Sequence, residues 1–386
     1  MRTKAKKTKN IIAQYDFYIL SVYIILTLIG LFMQLNISSI RTSMTFFYKQ
    51  SIWFAISLVT VWLSFKMINL EKSRKFIFIT LLLTIIALIL VLVLGHSVKG
   101  AQRSIRFFGV SIQPSLFARI ILILYFAHIF DKKKDELDDT SPKQFLKKFS
   151  SLIIFSISIF GLILIEKHLS ILIILGFTLF WMLWLAKIKL STIFSILGIL
   201  VIFMMGVLLF GKEDYRRERL KIYKKYSLFH KANPEEEIYT GDKDYQIRES
   251  LISLASGKYF GTTSKRGTGK HYFLPEAKTD YIYAIIGEEF GFLWAVLILA
   301  MYAFIFYRTL INGSKNNSLY LKLASYGLGM NIFFNAMVNI GVAMSALPST
   351  GVTLPFISYG GTSLLVNSFS IGLLLNISAV RRNISR

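Results

Sequence analysis

Apolar runs of about twenty residues recur along most of this chain, the length an α-helix needs to cross ~30 Å of hydrocarbon. No other feature restricts the fold as strongly. In lipid every backbone polar group must find its partner inside the protein, so a chain made of such runs folds as a helical bundle. Of the 386 residues, 54% are hydrophobic, and the mean hydropathy is +0.56. Soluble domains hold about 45–50% apolar residues even when Gly is counted. The expected fold is an all-α polytopic membrane protein.

Charge gives the spans their direction. The chain has 45 Lys and Arg against 21 Asp and Glu, a net +24. In a soluble chain that surplus would suggest nucleic acid. Here much of it sits in short segments between spans, where it reads as topology and contact with anionic lipid. No ordered nucleic-acid-binding motif accompanies it. The absence of Cys excludes disulfides, thiolate chemistry and Cys-based metal sites. Five scattered His without an HExxH pair give no metal signature. Met1–Asn10 is basic, and the apolar run behind it is long and lacks a small-residue cleavage site, so it reads as a retained first span.

Seven spans are expected within residues 16–210: Asp16–Leu35, Lys49–Met67, Phe76–Gly95, Leu116–Phe130, Ser151–Ile165, Leu169–Ala186 and Ser191–Phe210. A long polar loop, 211–279, separates them from three more in 280–380: Asp280–Tyr307, Leu323–Leu347 and a last one ending near Val380. Ten spans with both termini cytoplasmic place Lys or Arg inside at every short loop except Val98–Ser115, which carries Lys99, Arg103 and Arg106 outside. Those residues serve something other than topology. Even-odd counting puts the long loop outside, between spans seven and eight of a single membrane domain. Its first basic cluster, Arg216–Lys225, fits either an amphipathic helix lying at the interface or a solvated loop. Further on, Lys265, Arg266 and Lys270, with the backbone amides at Gly267 and Gly269, have the composition of a phosphate-binding loop or of a merely flexible one.

Polar residues inside the last three spans mark where function sits. Asp280 stands at the start of a long apolar helix, and Glu288 lies ~12 Å further along it at 1.5 Å per residue. Carboxylates at such depth face a protein interior or a wet cavity. Glu288 and Glu289 either pair with a buried partner or line a functional path. Asn331, Asn335 and Asn339 recur at i, i+4 and i+8, on one helix face, as glue between helices or as lining of a polar path. Pro348, Gly351 and Pro355 bend the outer connection beside Asp280, and Phe356-Ile-Ser-Tyr-Gly-Gly-Thr-Ser363 opens the last span with small residues.

At these residues the chain resembles the SEDS family (shape, elongation, division and sporulation), represented by RodA and FtsW. Leu274-Pro-Glu-Ala-Lys-Thr-Asp-Tyr-Ile-Tyr-Ala-Ile-Ile-Gly-Glu-Glu-Phe-Gly291 is similar to the family's LPExHTDFIFAxxGEExG. Asn339-Ile-Gly, Leu347-Pro and Thr350-Gly-Val-Thr-Leu-Pro-Phe-Ile-Ser-Tyr-Gly-Gly-Thr-Ser363 resemble NxG…LPxTGxxLPFxSYGGSS. Gly100-Ala-Gln-Arg103 and Gln113-Pro-Ser115 resemble GxxRW and QPSE. The departures cluster in the first half. Lys278 stands for the His of HTD, Leu116 for the Glu of QPSE and Arg119 for the Lys that follows it. Ser104 replaces the aromatic of RW, and the glycine-rich run is eroded in Gly261–Lys270. The PDxGT turn reads Lys167-His-Leu-Ser-Ile171, with no acidic residue.

The resemblance implies a peptidoglycan glycosyltransferase that polymerises lipid II beside a class B penicillin-binding protein in the bacterial cytoplasmic membrane. It implies Asp280 as the catalytic carboxylate. An acceptor hydroxyl must lose a proton as it attacks the anomeric carbon, and a carboxylate within hydrogen-bond reach takes it. The leaving group is a polyprenyl pyrophosphate, so cations must meet the developing charge. Arg103, Arg106, Lys265, Arg266, Lys270 and Lys278 are candidates, and Glu276, Glu288, Glu289, Asn339, Ser358 and Tyr359 complete the expected substrate site. A divalent cation, Mg or Mn, is compatible with this chemistry, although no motif encodes one. Two other readings stay open at this level: a flippase for lipid II and a non-catalytic scaffold for a cell-wall synthase.

Overall fold

The structure is a computed structural model that describes residues 8–40, 44–98, 101–107, 110–137, 140–196, 198, 222–227, 244–262 and 278–385. The chain enters on β1 (Thr8–Gln14) and runs through α1 (Phe17–Ile40), α2 (Thr45–Lys66) and the short α3 (Leu70–Ser73), which continues through one tight turn into α4 (Ile77–Leu94). A small antiparallel sheet follows, with β3 (Ala101–Phe107) between β2 (His96–Val98) and β4 (Val110–Ile112). Next come α5 (Pro114–Lys132), α6 (Pro142–Lys148), α7 (Ser150–Ile165) and α8 (Leu169–Leu185). Beyond the outer region lie α9 (Tyr245–Ser256), α10 (Ile282–Phe290), α11 (Phe292–Ser314), α12 (Leu319–Ala343), α13 (Gly361–Ser378) and β5 (Val380–Ser385).

Among the described residues, six helical stretches are long and apolar enough to cross a membrane, and the α6–α7 pair, bent by 83°, makes a seventh. α8 is apolar but shorter. α12 has 25 residues, yet its buried Asn, Ser and Gly keep it out of a count made on apolarity. Most of the seventh expected span and of the long loop falls outside the described residues, so the count of ten and the loop's placement remain expectations of the sequence. The outer faces of α2 and α4 are apolar and exposed, with Ile52, Val59, Phe78, Ile79, Leu83 and Ile86 outward, as lipid-facing helices require. α5 and α12 are buried almost throughout and form the centre of the bundle.

Two ends of the bundle can be told apart from contacts alone. β1 and β5 pair antiparallel, Thr8 opposite Ser385, so both termini lie at one end. The Asp16 carboxylate there accepts hydrogen bonds from Arg308 Nε at 2.9 Å and Asn312 Nδ2 at 2.6 Å. The Ser378 hydroxyl, at the end of α13, accepts from the Asp16 amide at 3.0 Å. α1 then rises ~36 Å over its 24 residues. Near its far end Gln34 Nε2 donates to the carbonyl of Lys278 at 3.1 Å. Asp280, the β2–β3–β4 sheet and the connection 344–360 share that opposite end.

One expected element breaks in two. The sequence reads Asp280–Tyr307 as a continuous span, but the helix stops at Phe290 and restarts at Phe292. Gly291 between them has φ 84° and ψ −179°, a conformation essentially confined to glycine. The backbones of Tyr259 and Gly261 press against it where a Cβ would stand. α10 is therefore a nine-residue helix, ~13 Å long, too short to cross the membrane. Its residues Ile282 to Glu289 are all buried, so it packs inside the protein and not against lipid. A Gly291→Ala substitution must displace the backbone of residues 259–261, which has no side chain to give way. It is expected to abolish recovery of folded protein in detergent, measured as loss of the monodisperse peak in fluorescence-detected size exclusion.

Candidate active site

Asp280 sits on the turn that leads into α10, and three chain segments fix it. Asn339 Nδ2, near the end of α12, donates to the Asp280 carbonyl at 2.9 Å and to the Val352 carbonyl at 2.6 Å. That amide ties the Asp280 turn to the connection between α12 and α13. The Ser358 hydroxyl accepts from the Leu354 amide at 2.8 Å and donates to the Thr279 carbonyl at 2.5 Å. The Tyr359 amide donates to the Lys278 carbonyl at 2.8 Å. Ser358 and Tyr359 thus act here on the backbone just ahead of Asp280.

The carboxylate itself points along the bent connection. An atom added as Cβ to Gly351 would lie 3.7 Å from Asp280 Oδ2, so the carboxylate passes close over that residue. Gly351 has φ +73°, a left-handed turn that a side chain would strain. Thr350, one residue earlier, accepts a hydrogen bond on its carbonyl from the Ser170 hydroxyl at 2.7 Å, which joins the start of α8 to the same place.

Arg103 on β3 is within electrostatic range of both Glu166 and Asp280. Burial lowers its pKa, and the two carboxylates pull it back up. Its Nη2 donates to the Lys167 carbonyl at 2.8 Å. Arg106 lies three residues along the same strand, where alternation sends side chains to the other face, and it is exposed. Of the two expected arginines, Arg103 is partly buried within electrostatic range of Asp280 and Arg106 is exposed. The Lys278 ammonium rests 3.4 Å from the centroid of the Phe46 ring, whose edge meets Tyr359. Lys265, Arg266, Lys270 and Glu276 lie outside the described residues.

Glu288 and Glu289 belong to the interior of α10, with 1% and 3% of their surface exposed. Asn36 Nδ2 of α1 donates to Glu289 Oε2 at 2.5 Å, and the Glu288 carbonyl accepts from both the amide and the hydroxyl of Thr262. These contacts anchor α10 to α1 and to the stretch after α9. Asn331 and Asn335 are also buried, and their amide oxygens have no hydrogen-bond partner among the described residues.

The sequence reading missed one acidic residue. It treats the turn at residues 167–171 as lacking an acid, yet Glu166, immediately before it, is fully buried at the head of the α7–α8 turn. Burial pushes its pKa up to about 7, while the Ser115 hydroxyl and the Arg103 guanidinium pull in the opposite direction. His168, two residues on, is held down to about 3 by burial and by Arg103 and Arg119, so it is neutral. Arg119 of α5 is 1% exposed, and its Nε and Nη1 have no hydrogen-bond partner among the described residues. A sequence pattern that tolerated a two-residue displacement of the acid would have flagged Glu166.

The geometry places a pinned carboxylate, a nearby guanidinium and a second, buried carboxyl at the end of the bundle opposite the termini. Among the described residues no group of three or more His, Cys, Asp or Glu comes together as a metal-binding cluster.

Comparison with known proteins identifies the family. A FtsW protein of Trichlorobacter lovleyi, described as "Probable peptidoglycan glycosyltransferase FtsW", is 33% identical over 380 residues, covering 95% of this chain and 94% of that protein. The protein of the same description from Escherichia coli O157:H7 is 32% identical and covers 98% and 89%. Among solved structures, a chain from a peptidoglycan synthase complex that coordinates polymerization and crosslinking superposes with a TM-score of 0.76 at 20% identity, over 95% of this chain and 98% of that one. The rod shape determining protein RodA of Thermus thermophilus superposes at 0.68 with 19% identity, over 95% and 97%. The profile of the cell cycle protein family FtsW/RodA/SpoVE matches residues 14–383, and this chain belongs to that family.

Proposed function

We propose that this chain polymerises lipid II into glycan strands at the outer face of the bacterial cytoplasmic membrane, with Asp280 as general base. The observation that carries the reading is the placement of Asp280: its backbone is clamped by Asn339 and Ser358, and Arg103 stands within electrostatic reach of its carboxylate. Clamping holds the group within the narrow geometry a proton transfer requires. The acceptor sugar's 4-hydroxyl gives its proton to Asp280 as its oxygen attacks the anomeric carbon of the donor. The bond from that carbon to the pyrophosphate oxygen breaks, and the electron pair leaves with the polyprenyl pyrophosphate, whose charge Arg103 faces. An α-linked donor and a β-linked product make this one inverting displacement, with no sugar bound covalently to the protein.

The basic first ten residues put the terminal end of the bundle in the cytoplasm, and the site then faces outward, where extruded lipid-linked sugars are met. A magnesium or manganese ion commonly binds through one or two carboxylates together with substrate phosphates, a donor set that Asp280 and the pyrophosphate would supply. A class B penicillin-binding protein is the proposed partner. The test is glycan synthesis from lipid II by the purified protein with that partner, with penicillin present to silence crosslinking and with Mg or Mn added or chelated. Polymer longer than the starting disaccharide supports the reading, and its absence under every condition with folded, lipid-binding protein overturns it. The break at Gly291 is the feature that favours a flippase, since transporters use interrupted helices near their sites. Flipping without polymerisation in the same vesicles would establish that reading instead.

A further inference from the structure

α9 is polarised at one end in a way that contact with water does not explain. Over its second half and the turn behind it, the buried positions are the small Ser250, Ser253 and Gly257. The Ser250 hydroxyl donates to the Ala343 carbonyl at 2.8 Å, and the backbone of Gly287 lies where a Cβ on Gly257 would stand. Leu251 and Leu254 are half-buried at the flanks, with Leu254 against Gly287. The outward positions are Ile252, Ala255, Tyr259 and Phe260, and Phe260 is 82% exposed. A helix bathed in water turns its apolar stripe inward and its polar residues outward. Helices in lipid pack through small residues and leave apolar side chains outside. The second half of α9 follows the lipid pattern. Its first turns carry Gln246, Arg248 and Glu249 at half-exposed positions, as a water-facing segment does.

Backbone bonds fix the level at which this turn lies. The amide of Phe292, the first residue of α11, donates to the Lys258 carbonyl at 2.8 Å. The rings of Tyr259 and Phe292 meet edge to face with centroids 6.5 Å apart. α11 is long and apolar enough to cross a membrane, so the turn sits beside the end of a span. Phe292, Leu293 and Trp294 are exposed and continue the patch, and Val296 and Leu297 carry it along α11. A contiguous apolar patch marks an interaction surface. This one combines Tyr and Trp, the residues that collect where membrane meets water, and runs unbroken down a membrane-spanning helix.

We propose that the end of α9 and the turn 257–260 are inserted in the membrane leaflet at the Asp280 end of the bundle, where they seat α10 on the lipid. The occupant of the patch is bilayer lipid. Tyr259 and Phe260 enter the boundary between headgroups and acyl chains, and the exposed Lys258 extends its ammonium back toward the phosphates. α10 follows the turn because the two are joined. The Thr262 amide donates to the Glu288 carbonyl at 2.9 Å, and the backbones of Gly261 and Gly291 pack together. Lipid contact thereby sets the depth of α10 and of the Asp280 turn that leads into it.

The experiment is power-saturation EPR on the full-length protein. The chain has no Cys, so each single-Cys variant carries one nitroxide label. Phe260→Cys, Tyr259→Cys and Arg248→Cys are labelled, checked for a monodisperse peak and reconstituted into bilayers of phosphatidylethanolamine and phosphatidylglycerol. Collisions with oxygen, which concentrates in hydrocarbon, are compared with collisions with a water-soluble nickel chelate. Neither readout depends on activity. The labels at 259 and 260 are expected to meet oxygen several times more often than nickel, at a depth of about 5–10 Å below the headgroup boundary. The label at 248 is expected to show the reverse. Adding a class B penicillin-binding protein, the proposed partner, is expected to leave oxygen access at 259 and 260 unchanged. Nickel access at 259 and 260 equal to that at 248 puts the turn in water and overturns the proposal. Loss of access to both probes means that protein covers the patch: a second copy of this chain if it occurs without the partner, the partner itself if it occurs on its addition. Either result overturns lipid as the occupant.

Discussion

Asp280→Asn is expected to abolish glycan polymerisation while leaving the protein folded and able to bind lipid II. Asn is nearly the same shape. The contacts that fix this turn run through the backbone carbonyls of Asp280 and Thr279, which the substitution keeps. What it removes is the carboxylate's ability to accept a proton. Loss of a positioned general base typically costs about 10²- to 10⁴-fold in rate. The measurement is the initial rate of polymer formation with the cognate partner present, beside lipid II binding for the same two preparations. Polymer at the wild-type rate from the variant would remove Asp280 as the base and turn attention to Glu288 and Glu289. Those two are poor replacements on the present geometry, because α10 encloses them and Glu289 is engaged by Asn36.

Arg308→Met is expected to lower stability markedly while the protein still folds. The Asp16 side chain is 1% exposed and accepts from Arg308 Nε at 2.9 Å, with Arg308 Nη2 at 2.8 Å. Met keeps most of the side-chain volume but leaves a buried carboxylate without its cation, a change that costs about 3–5 kcal/mol in buried pairs. Asn312 and the amides of Tyr18 and Ile19 continue to serve Asp16, and the 22% exposure of Arg308 lets water approach. Both lower the expected loss to about 2–3 kcal/mol, read as a drop of several degrees in the detergent melting temperature. The double variant Asp16→Asn with Arg308→Met should recover part of it, since neither charge is then left alone. A melting temperature unchanged in the single variant would show that the pair contributes nothing to the bundle.

The contrast between these two residues shows what kind of information each level carries. Asp280 was legible early. A carboxylate at the mouth of an apolar helix, within a long motif, stands out in one dimension because its neighbours in sequence are also its neighbours in space. The partners of Asp16 lie 292 and 296 residues away. In the sequence Arg308 reads only as an inside charge, and nothing local connects it to the first span. Gly291 falls between these cases. It is visible as a glycine, but a lone glycine in an apolar run does not by itself break a helix. The break is required by the backbones of Tyr259 and Gly261 packed against it.

The sequence by itself determined that this chain is a bundle of membrane helices, and where its charge and polar stripes lie. Both properties depend on the length and period of apolar runs, which are local. It also singled out Asp280, Arg103 and Asn339 as candidates for the site. Only the tertiary structure decided that Arg103 is partly buried within electrostatic range of Asp280, because strand alternation on β3 turns it away from the face on which Arg106 is exposed. Only it showed that Asn339 acts by clamping the turn before α10, and that Glu166 supplies a buried acid where the turn after it has none. Each of these depends on helices distant in sequence being packed side by side, and the energy of a buried charge is set by what packing puts next to it.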